Sequence, residues 1–134
     1  MRASYLSGIA CLCFVSACGG GREPSSLNMN GRWSFSATPA VAFPVNETAM
    51  GKLTQNGNSV TGIFALTQFP CAASATLTGT VTGTMLSLQF NENGQSVVFT
   101  GKVNSKFTFA SGRYFAPSGG CTNGETGMWF ATKG

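Results

Sequence analysis

The sequence predicts an all-β fold, a single eight-stranded antiparallel up-and-down β-barrel of the small lipocalin-like kind. No segment carries a sustained apolar period of 3.6 residues, whereas apolar and polar residues alternate with period two along most of residues 31–134. The alternating segments are short and are separated by turn pairs that contain Gly. About 100 residues suffice for one core, and closing the meander into a barrel removes both exposed sheet edges.

Three of the first four predicted strands carry an apolar face that can point into the barrel. The four strands cover residues 32–38, 48–55, 59–67 and 74–81, and the turn Asn56-Gly57 joins the second to the third. The predicted inward residues are Trp33, Phe35 and Ala37, then Val60, Phe64 and Leu66, then Ala75, Leu77 and Val81. Threonines occupy the opposite face of the fourth strand, which we expect to face solvent.

The last four predicted strands continue the alternation. The turn Asn93-Gly94 joins the fifth to the sixth, because both residues tolerate positive φ. A turn at Asn104-Ser105 leads to the seventh strand, and a long loop precedes the eighth, residues 126–132. The predicted apolar residues are Leu86, Leu88 and Phe90, then Val97, Phe99 and Val103, then Phe107 and Phe109, and finally Trp129.

The first and last predicted strands begin with matching triplets, Gly31-Arg32-Trp33 and Gly127-Met128-Trp129. In a closed meander these strands are neighbours, so we expect Trp33 and Trp129 to pack together in the core at the seam. The triplet Gly31-Arg32-Trp33 resembles the Gly-x-Trp of lipocalins and avidin-like barrels. That resemblance implies a barrel and no particular ligand.

A short apolar stretch, residues 5–15, follows Arg2 and ends at Val15-Ser16-Ala17-Cys18. This run resembles the lipobox of bacterial lipoproteins. The resemblance implies a signal peptide over residues 1–17, diacyl or triacyl modification of Cys18, and stable attachment to a membrane. Gly19, in place of the Asp that retains such proteins at the inner membrane, implies the outer membrane. Residues 18–30 are then a flexible lipidated tether, and residues 31–134 are the barrel domain.

The cysteine count agrees with export. Cys11 and Cys13 would leave with the signal peptide, and lipidation of Cys18 leaves an even pair, Cys71 and Cys121. In an oxidising compartment we expect this pair to form a disulfide, with two free buried thiols as the alternative. Both cysteines fall in long loops at the same end of the predicted meander.

Composition excludes several classes of site. The chain has no His, its four acids are all Glu, and only 9% of its residues are charged. These absences exclude Ser-His-Asp and Cys-His catalysis and imidazole ligation of a metal. We expect no catalytic residue, no metal and no cofactor, and we expect Glu23, Glu47, Glu92 and Glu125 to be solvated surface carboxylates. No basic run is present, so nucleic acid is not an expected partner.

The long-loop end is the predicted recognition surface, facing away from the membrane. Its candidate residues are Phe43, Phe69, Arg113, Tyr114 and Phe115, because exposed loop aromatics often contact a ligand or partner. The alternative is that these side chains cap the core. The resulting hypothesis is a lipid-anchored, non-enzymatic envelope protein that binds a small apolar ligand or a protein segment.

Two other functions stay open at the level of sequence. Ser111-Gly112-Arg113-Tyr114 and Thr132-Lys133-Gly134 are similar to fragments of the motifs in membrane-bound inhibitors of C-type lysozyme. That resemblance implies an enzyme inhibitor. Alternatively, the hydroxyl-rich outer face of a passive structural protein would contact glycan.

Overall fold

The computed structural model describes residues 27–41, 46–68, 72–119 and 122–134. Eight strands form the barrel: β1 (Gly31–Pro39), β2 (Glu47–Asn56), β3 (Ser59–Thr67), β4 (Ser74–Thr82), β5 (Met85–Glu92), β6 (Gln95–Val103), β7 (Phe109–Phe115) and β10 (Thr126–Lys133). Two short strands, β8 (Ser118–Gly119) and β9 (Thr122–Asn123), pair in the connection between β7 and β10. Within the described ranges, no helix is long and apolar enough to cross a membrane.

The barrel is a closed antiparallel meander, as the sequence predicts. Barrel strands that follow one another in the chain pair with each other, and β1 pairs with β10 to close the ring. The closing register runs from Trp33 opposite Lys133 to Pro39 opposite Gly127. The predicted all-β fold and eight-stranded up-and-down barrel are therefore confirmed.

The tight turn between β5 and β6 has the predicted geometry. Asn93 has a φ of 51° and Gly94 a φ of 84°, so both central residues are in the left-handed region that a type I′ hairpin turn requires. This turn lies at the long-loop end of the barrel, together with the β1–β2, β3–β4 and β7–β10 connections. The remaining turns and the start of β1 lie at the opposite end, the tight-turn end.

The predicted seventh strand is wrong at its beginning. Phe107 lies in the turn, with a φ of 57°, and β7 begins at Phe109, whose side chain faces outward. The Asn104 side chain accepts hydrogen bonds from the backbone N–H groups of Thr108 and Phe109, at 2.8 and 3.1 Å. The Asn104 side chain thus stabilises a turn that is longer than the predicted two residues. Phe107 therefore lies in this turn, and the first inward residue of β7 is Ala110.

An aromatic layer fills the barrel at mid-height. Neighbouring rings in it have centroids 4.9–6.3 Å apart, most in edge-to-face geometry, which is favourable for aromatic pairs. Its members are Phe35, Phe64, Phe90, Phe99 and Trp129, and all are at most 3% exposed. The layer is a packed core, so a ligand has no room at this level of the interior.

Trp33 and Trp129 are both in the core, as predicted, but the expected contact between them is wrong. Trp129 lies opposite Ala37 in the register and stacks on Phe35 with the ring centroids 5.5 Å apart. Trp33 lies four residues from Ala37 along β1, a distance of about 13 Å in a strand. Matching triplets in antiparallel neighbours lie at opposite ends of their strands, which separates the two indoles.

The tight-turn end is closed by residues that the sequence assigned to the tether. Met29 is fully buried, and its backbone N–H donates to Oε1 of Gln55 at 2.9 Å. The indole N–H of Trp33 donates to the Met29 carbonyl at 2.8 Å. Residues 28–30 therefore pack against the barrel rather than forming a free linker, because an apolar Met fills the open end of the core.

The β6–β7 pair depends on two glycines that face each other. Gly101 lies directly opposite Gly112, both at inward positions of their strands. A Cβ at Gly112 would overlap the carbonyl oxygen of Thr100 and lie 2.6 Å from the Gly101 Cα. The close approach of these strand backbones leaves no space for a side chain at this point.

Candidate functional site

The long-loop end of the barrel interior is lined by polar side chains, whereas the rest of the interior is almost entirely apolar. Glu47 is the first residue of β2, Glu92 is the last residue of β5, and Glu125 directly precedes β10. Tyr114, near the end of β7, joins them. We call these four residues the carboxylate mouth. Three of the four acids of the chain thus lie at one end of one barrel.

Two of these carboxylates are deeply buried. Glu92 is 1% exposed and Glu47 is 6% exposed, so the prediction that they are solvated surface groups is wrong. The cause is the pleat of the strands, because side chains two residues apart point to the same side. Glu92 continues the inward set of β5, which is Leu86, Leu88 and Phe90.

Burial and mutual repulsion disfavour the charged forms of both groups. Burial, and secondly the charge of Glu125, raises the pKa of Glu92 to about 7. Burial raises the pKa of Glu47 to about 7 as well, with additional contributions from the charges of Glu125 and Glu92. Both carboxyls therefore change protonation state near neutral pH.

Glu92 also has an unsatisfied oxygen. Its Oε2 is buried and has no hydrogen-bond partner among the residues that the structure describes. Buried polar atoms are nearly always paired in folded proteins, because leaving one unpaired costs about 1–3 kcal/mol. An unpaired acceptor at the end of a filled barrel is the arrangement expected where a donor from outside completes the site.

Tyr114 connects the mouth to the core. Its hydroxyl donates to Oε1 of Glu125 at 2.9 Å, and its ring stacks on Phe99 with the centroids 5.3 Å apart. Burial, followed by the hydrogen bond to Glu125, raises the pKa of Tyr114 above its ordinary value. The ring passes over Gly127, where a Cβ would lie 2.6 Å from Cε1 of Tyr114. Tyr114 is thereby fixed as a donor to Glu125.

The predicted recognition residues do not form one loop surface. Arg113, Tyr114 and Phe115 lie in β7 rather than in a long loop, and Tyr114 is 3% exposed. Their placement in a loop is wrong because β7 extends to Phe115, paired with both β6 and β10. Phe43 and Phe69, and also Cys18, Cys71 and Cys121, lie outside the described residues.

Arg113 and Phe115 point outward and line an external groove instead. The groove has a volume of about 460 Å³ and is lined by Val98, Thr100, Arg113, Tyr114, Phe115, Thr126 and Gly127. Phe115 is 46% exposed. These two residues are accessible to a partner, but on the side of the barrel and not in its mouth.

The fragments that resemble lysozyme-inhibitor motifs lie on neighbouring strands, β7 and β10, but not opposite each other, since Ser111 pairs with Phe130 and Thr132 with Phe109. Ser111-Gly112-Arg113-Tyr114 is within β7, whereas Thr132-Lys133-Gly134 is at the tight-turn end. Lys133 Nζ donates to the carbonyl of Asn28 at 2.7 Å and lies 5.6 Å from the centre of the Trp33 ring. This lysine is therefore occupied within the fold.

The carboxylate mouth presents Glu oxygens, which can accept hydrogen bonds and attract a cation, at the edge of an apolar core. Among the described residues, no three Cys, Asp or Glu side chains converge closely enough to hold a metal ion. No protein-family model matches the chain, and no curated protein is detectably similar to it.

Proposed function

We propose that the protein is a lipid-anchored, non-enzymatic binding module of the bacterial cell envelope that captures an organic cation in the carboxylate mouth. The observation that carries this proposal is the buried Oε2 of Glu92, which has no partner among the described residues. A guanidinium or alkylammonium group would supply the missing donor. It would also favour the ionised carboxylates against the burial, and secondly the repulsion, that raise the pKa values of Glu92 and Glu47.

The packed interior favours binding at the mouth. The aromatic layer occupies mid-height and Met29 closes the tight-turn end, so among the described residues the long-loop end holds the one buried side-chain oxygen without a partner, Oε2 of Glu92. Of the two ligand classes expected from the sequence, a protein segment that bears Arg or Lys fits these acceptors better than an apolar molecule. Glu125 is half-buried and is the point at which such a side chain first meets the site.

An organic cation fits better than a metal ion. A divalent ion needs several oxygen ligands within about 2–2.6 Å of one point, and the described carboxylates do not converge in this way. The charges of Glu125 and Glu92 nevertheless contribute, after burial, to the raised pKa of Glu47, and the charge of Glu125 contributes to that of Glu92. A planar guanidinium presents five donors over a wider area and can bond two carboxylates at once.

The sequence supports the cellular part of the proposal. Val15-Ser16-Ala17-Cys18 would place acyl chains at Cys18, upstream of the tight-turn end where residues 28–30 enter the barrel. The mouth would then lie at the end of the barrel opposite the point where the anchored segment joins it. A Cys71–Cys121 disulfide would join two of the loops that surround it.

Calorimetric titration with N-acetylarginine amide tests the binding site. We expect the wild-type protein to bind this compound at pH 8. Binding should be at least tenfold weaker at pH 5, and at least tenfold weaker in Glu92→Gln, because protonation or neutralisation of Glu92 removes the anionic acceptor. The citrulline analogue, which has the same shape without the charge, should not bind. Glu23→Gln changes the net charge equally and serves as the control. Equal binding of the two probes, or binding unaffected by Glu92→Gln, would contradict the proposal.

Mass spectrometry of the intact protein from its own membranes tests the anchor and the bridge. Lipidation predicts that the chain begins at Cys18 and carries acyl chains, and that Cys18→Ser prevents acylation. A Cys71–Cys121 disulfide predicts a mass two hydrogens lighter, recovered on reduction. A mature chain without acyl chains would contradict the proposed anchor. It would not contradict the proposed cation binding, because the calorimetric test does not depend on acylation.

A further inference from the structure

One side of the barrel exterior differs from the others in carrying exposed aromatic rings. Phe109 of β7 and Phe130 of β10 are 43% and 48% exposed, and their rings stack with centroids 6.3 Å apart. Met128, on the same face of β10, is 61% exposed. Most outward side chains of a soluble barrel are polar, so three large apolar groups on two adjacent strands mark a contact surface.

Two cations lie on the same outward face as these rings. Arg113 is opposite Met128 in the β7–β10 register, and Ser111 lies between Phe130 on one side and Lys102 of β6 on the other. Lys102 and Arg113 are both exposed. We call Phe109, Phe130, Met128, Lys102 and Arg113 the basic aromatic face.

Among the described residues, the charged side chains that are exposed are all cations. Arg32, Lys52 and Lys106 are exposed in addition to the two cations of the basic aromatic face. Within the described ranges no Glu is exposed, because Glu47 and Glu92 are buried and Glu125 is half-buried. The three described acids are thus segregated inside the mouth, and the described outer surface is complementary to an anionic partner.

The position of the chain entry favours a membrane as that partner. Residues 28–30 are packed under the tight-turn end, so a tether from Cys18 has only ten residues, 18–27, and reaches at most about 35 Å. Phe109 and Lys102 lie near this same end. A short tether gives a high local concentration of lipid, so that a surface of modest affinity suffices.

We propose that the basic aromatic face docks on an anionic lipid bilayer, with the rings at the headgroup level and Lys102 and Arg113 on lipid phosphates. This contact goes beyond binding at the mouth and uses different residues. The barrel would lie on its β7–β10 side, with β3 and β4 directly opposite and farthest from the membrane. Interfacial aromatics with flanking cations are the usual composition of such contacts.

Fluorescence of the acylated full-length protein in vesicles tests this orientation. An environment-sensitive fluorescent amino acid is incorporated in place of Ser111, within the face, or in place of Thr78, outward on β4. Vesicles are pure phosphatidylcholine or contain about 30% phosphatidylglycerol, each with a quencher-labelled lipid. We expect position 111 to be quenched at least threefold more than position 78, and only in the anionic vesicles.

Two double variants identify the residues responsible. Lys102→Gln with Arg113→Gln, and separately Phe109→Ser with Phe130→Ser, should abolish the difference between positions 111 and 78. All four side chains point outward, and circular dichroism verifies that the variants retain the fold. Equal quenching at the two positions, or a difference that persists in both double variants, would overturn the proposal. If the protein proves not to be acylated, the same labels report on vesicles added to the free protein.

Discussion

Replacing Glu92 with Gln should change the pH dependence of stability, so that the barrel, compared with wild type, gains stability on going from acid to alkaline pH. Below pH 4.5 the carboxyl is protonated in both the folded and the unfolded chain. Between pH 4.5 and about 7 the folded chain holds its proton and the unfolded chain loses it, so the free energy of unfolding falls as pH rises. Above pH 7 the loss is complete. A glutamine side chain does not titrate and escapes this loss.

The size of the effect follows from the shift. A rise in the pKa of Glu92 from 4.5 to about 7 corresponds to about 3 kcal/mol. The amide that Glu92→Gln introduces can itself lack a partner, which costs about 1–3 kcal/mol at every pH. The informative quantity is therefore the difference between two pH values: relative to wild type, the variant should gain about 3 kcal/mol between pH 4 and pH 8.5.

Urea unfolding followed by tryptophan fluorescence measures this difference, because Trp33 and Trp129 are both buried. With a slope of about 1–3 kcal/mol per molar urea, the relative midpoint should move by about 1–3 M between the two pH values. Glu23→Gln should show no such pH-dependent gain. If Glu92→Gln changes stability equally at pH 4 and pH 8.5, Glu92 does not titrate in a buried site and the reasoning is refuted.

Tyr114→Phe should lower the free energy of unfolding by about 1 kcal/mol, because it removes the hydrogen bond to Glu125 while keeping the ring on Phe99; no loss in urea unfolding would show that this bond is not made in solution. Gly112→Ala should destabilise the barrel by about 3 kcal/mol or more, because its Cβ overlaps a backbone oxygen of β6. Gly134→Ala, which has open space around its Cβ position, is the matched control, and equal thermal midpoints for the two variants would count against the close β6–β7 approach.

Much of the fold could be predicted from the sequence because short stretches of residues determine most of the geometry of a small barrel. Period-two alternation determines which residues face inward, and Asn93-Gly94 specifies its own turn. Closure of the meander follows from the need to pair both edge strands. These are short-range or topological constraints, and one sequence is enough to infer them.

Register across the seam was not predictable in the same way. The matching Trp triplets suggested a contact between Trp33 and Trp129, but antiparallel pairing puts Lys133 opposite Trp33. The side-chain bonds of Asn104 determine the turn length before β7, and nothing in the period of the sequence indicates them. Strand order can be inferred from local patterns, whereas contacts across non-local pairs depend on exact turn lengths.

The carboxylate mouth was missed although its signal was present. Glu92 lies two residues after Phe90 and four after Leu88, so it points to the same side of β5. Continuing the alternation of β5 by one more inward position places Glu92 inside the barrel. The general tendency of Glu to be exposed outweighed this pattern. Convergence with Glu47 and Glu125 depends on three separate connections meeting at one end, which only the closed structure reveals.

The most direct test of a cation-binding mouth is carbon NMR of the Glu side-chain carboxyl groups during a pH titration. We predict that the Glu92 carboxyl titrates near pH 7 in the free protein, and that saturating N-acetylarginine amide moves its midpoint toward lower pH, since a bound cation favours the ionised form. A midpoint near 4.5, unchanged by the arginine compound, would show that Glu92 is neither buried at the mouth nor the acceptor of a cation.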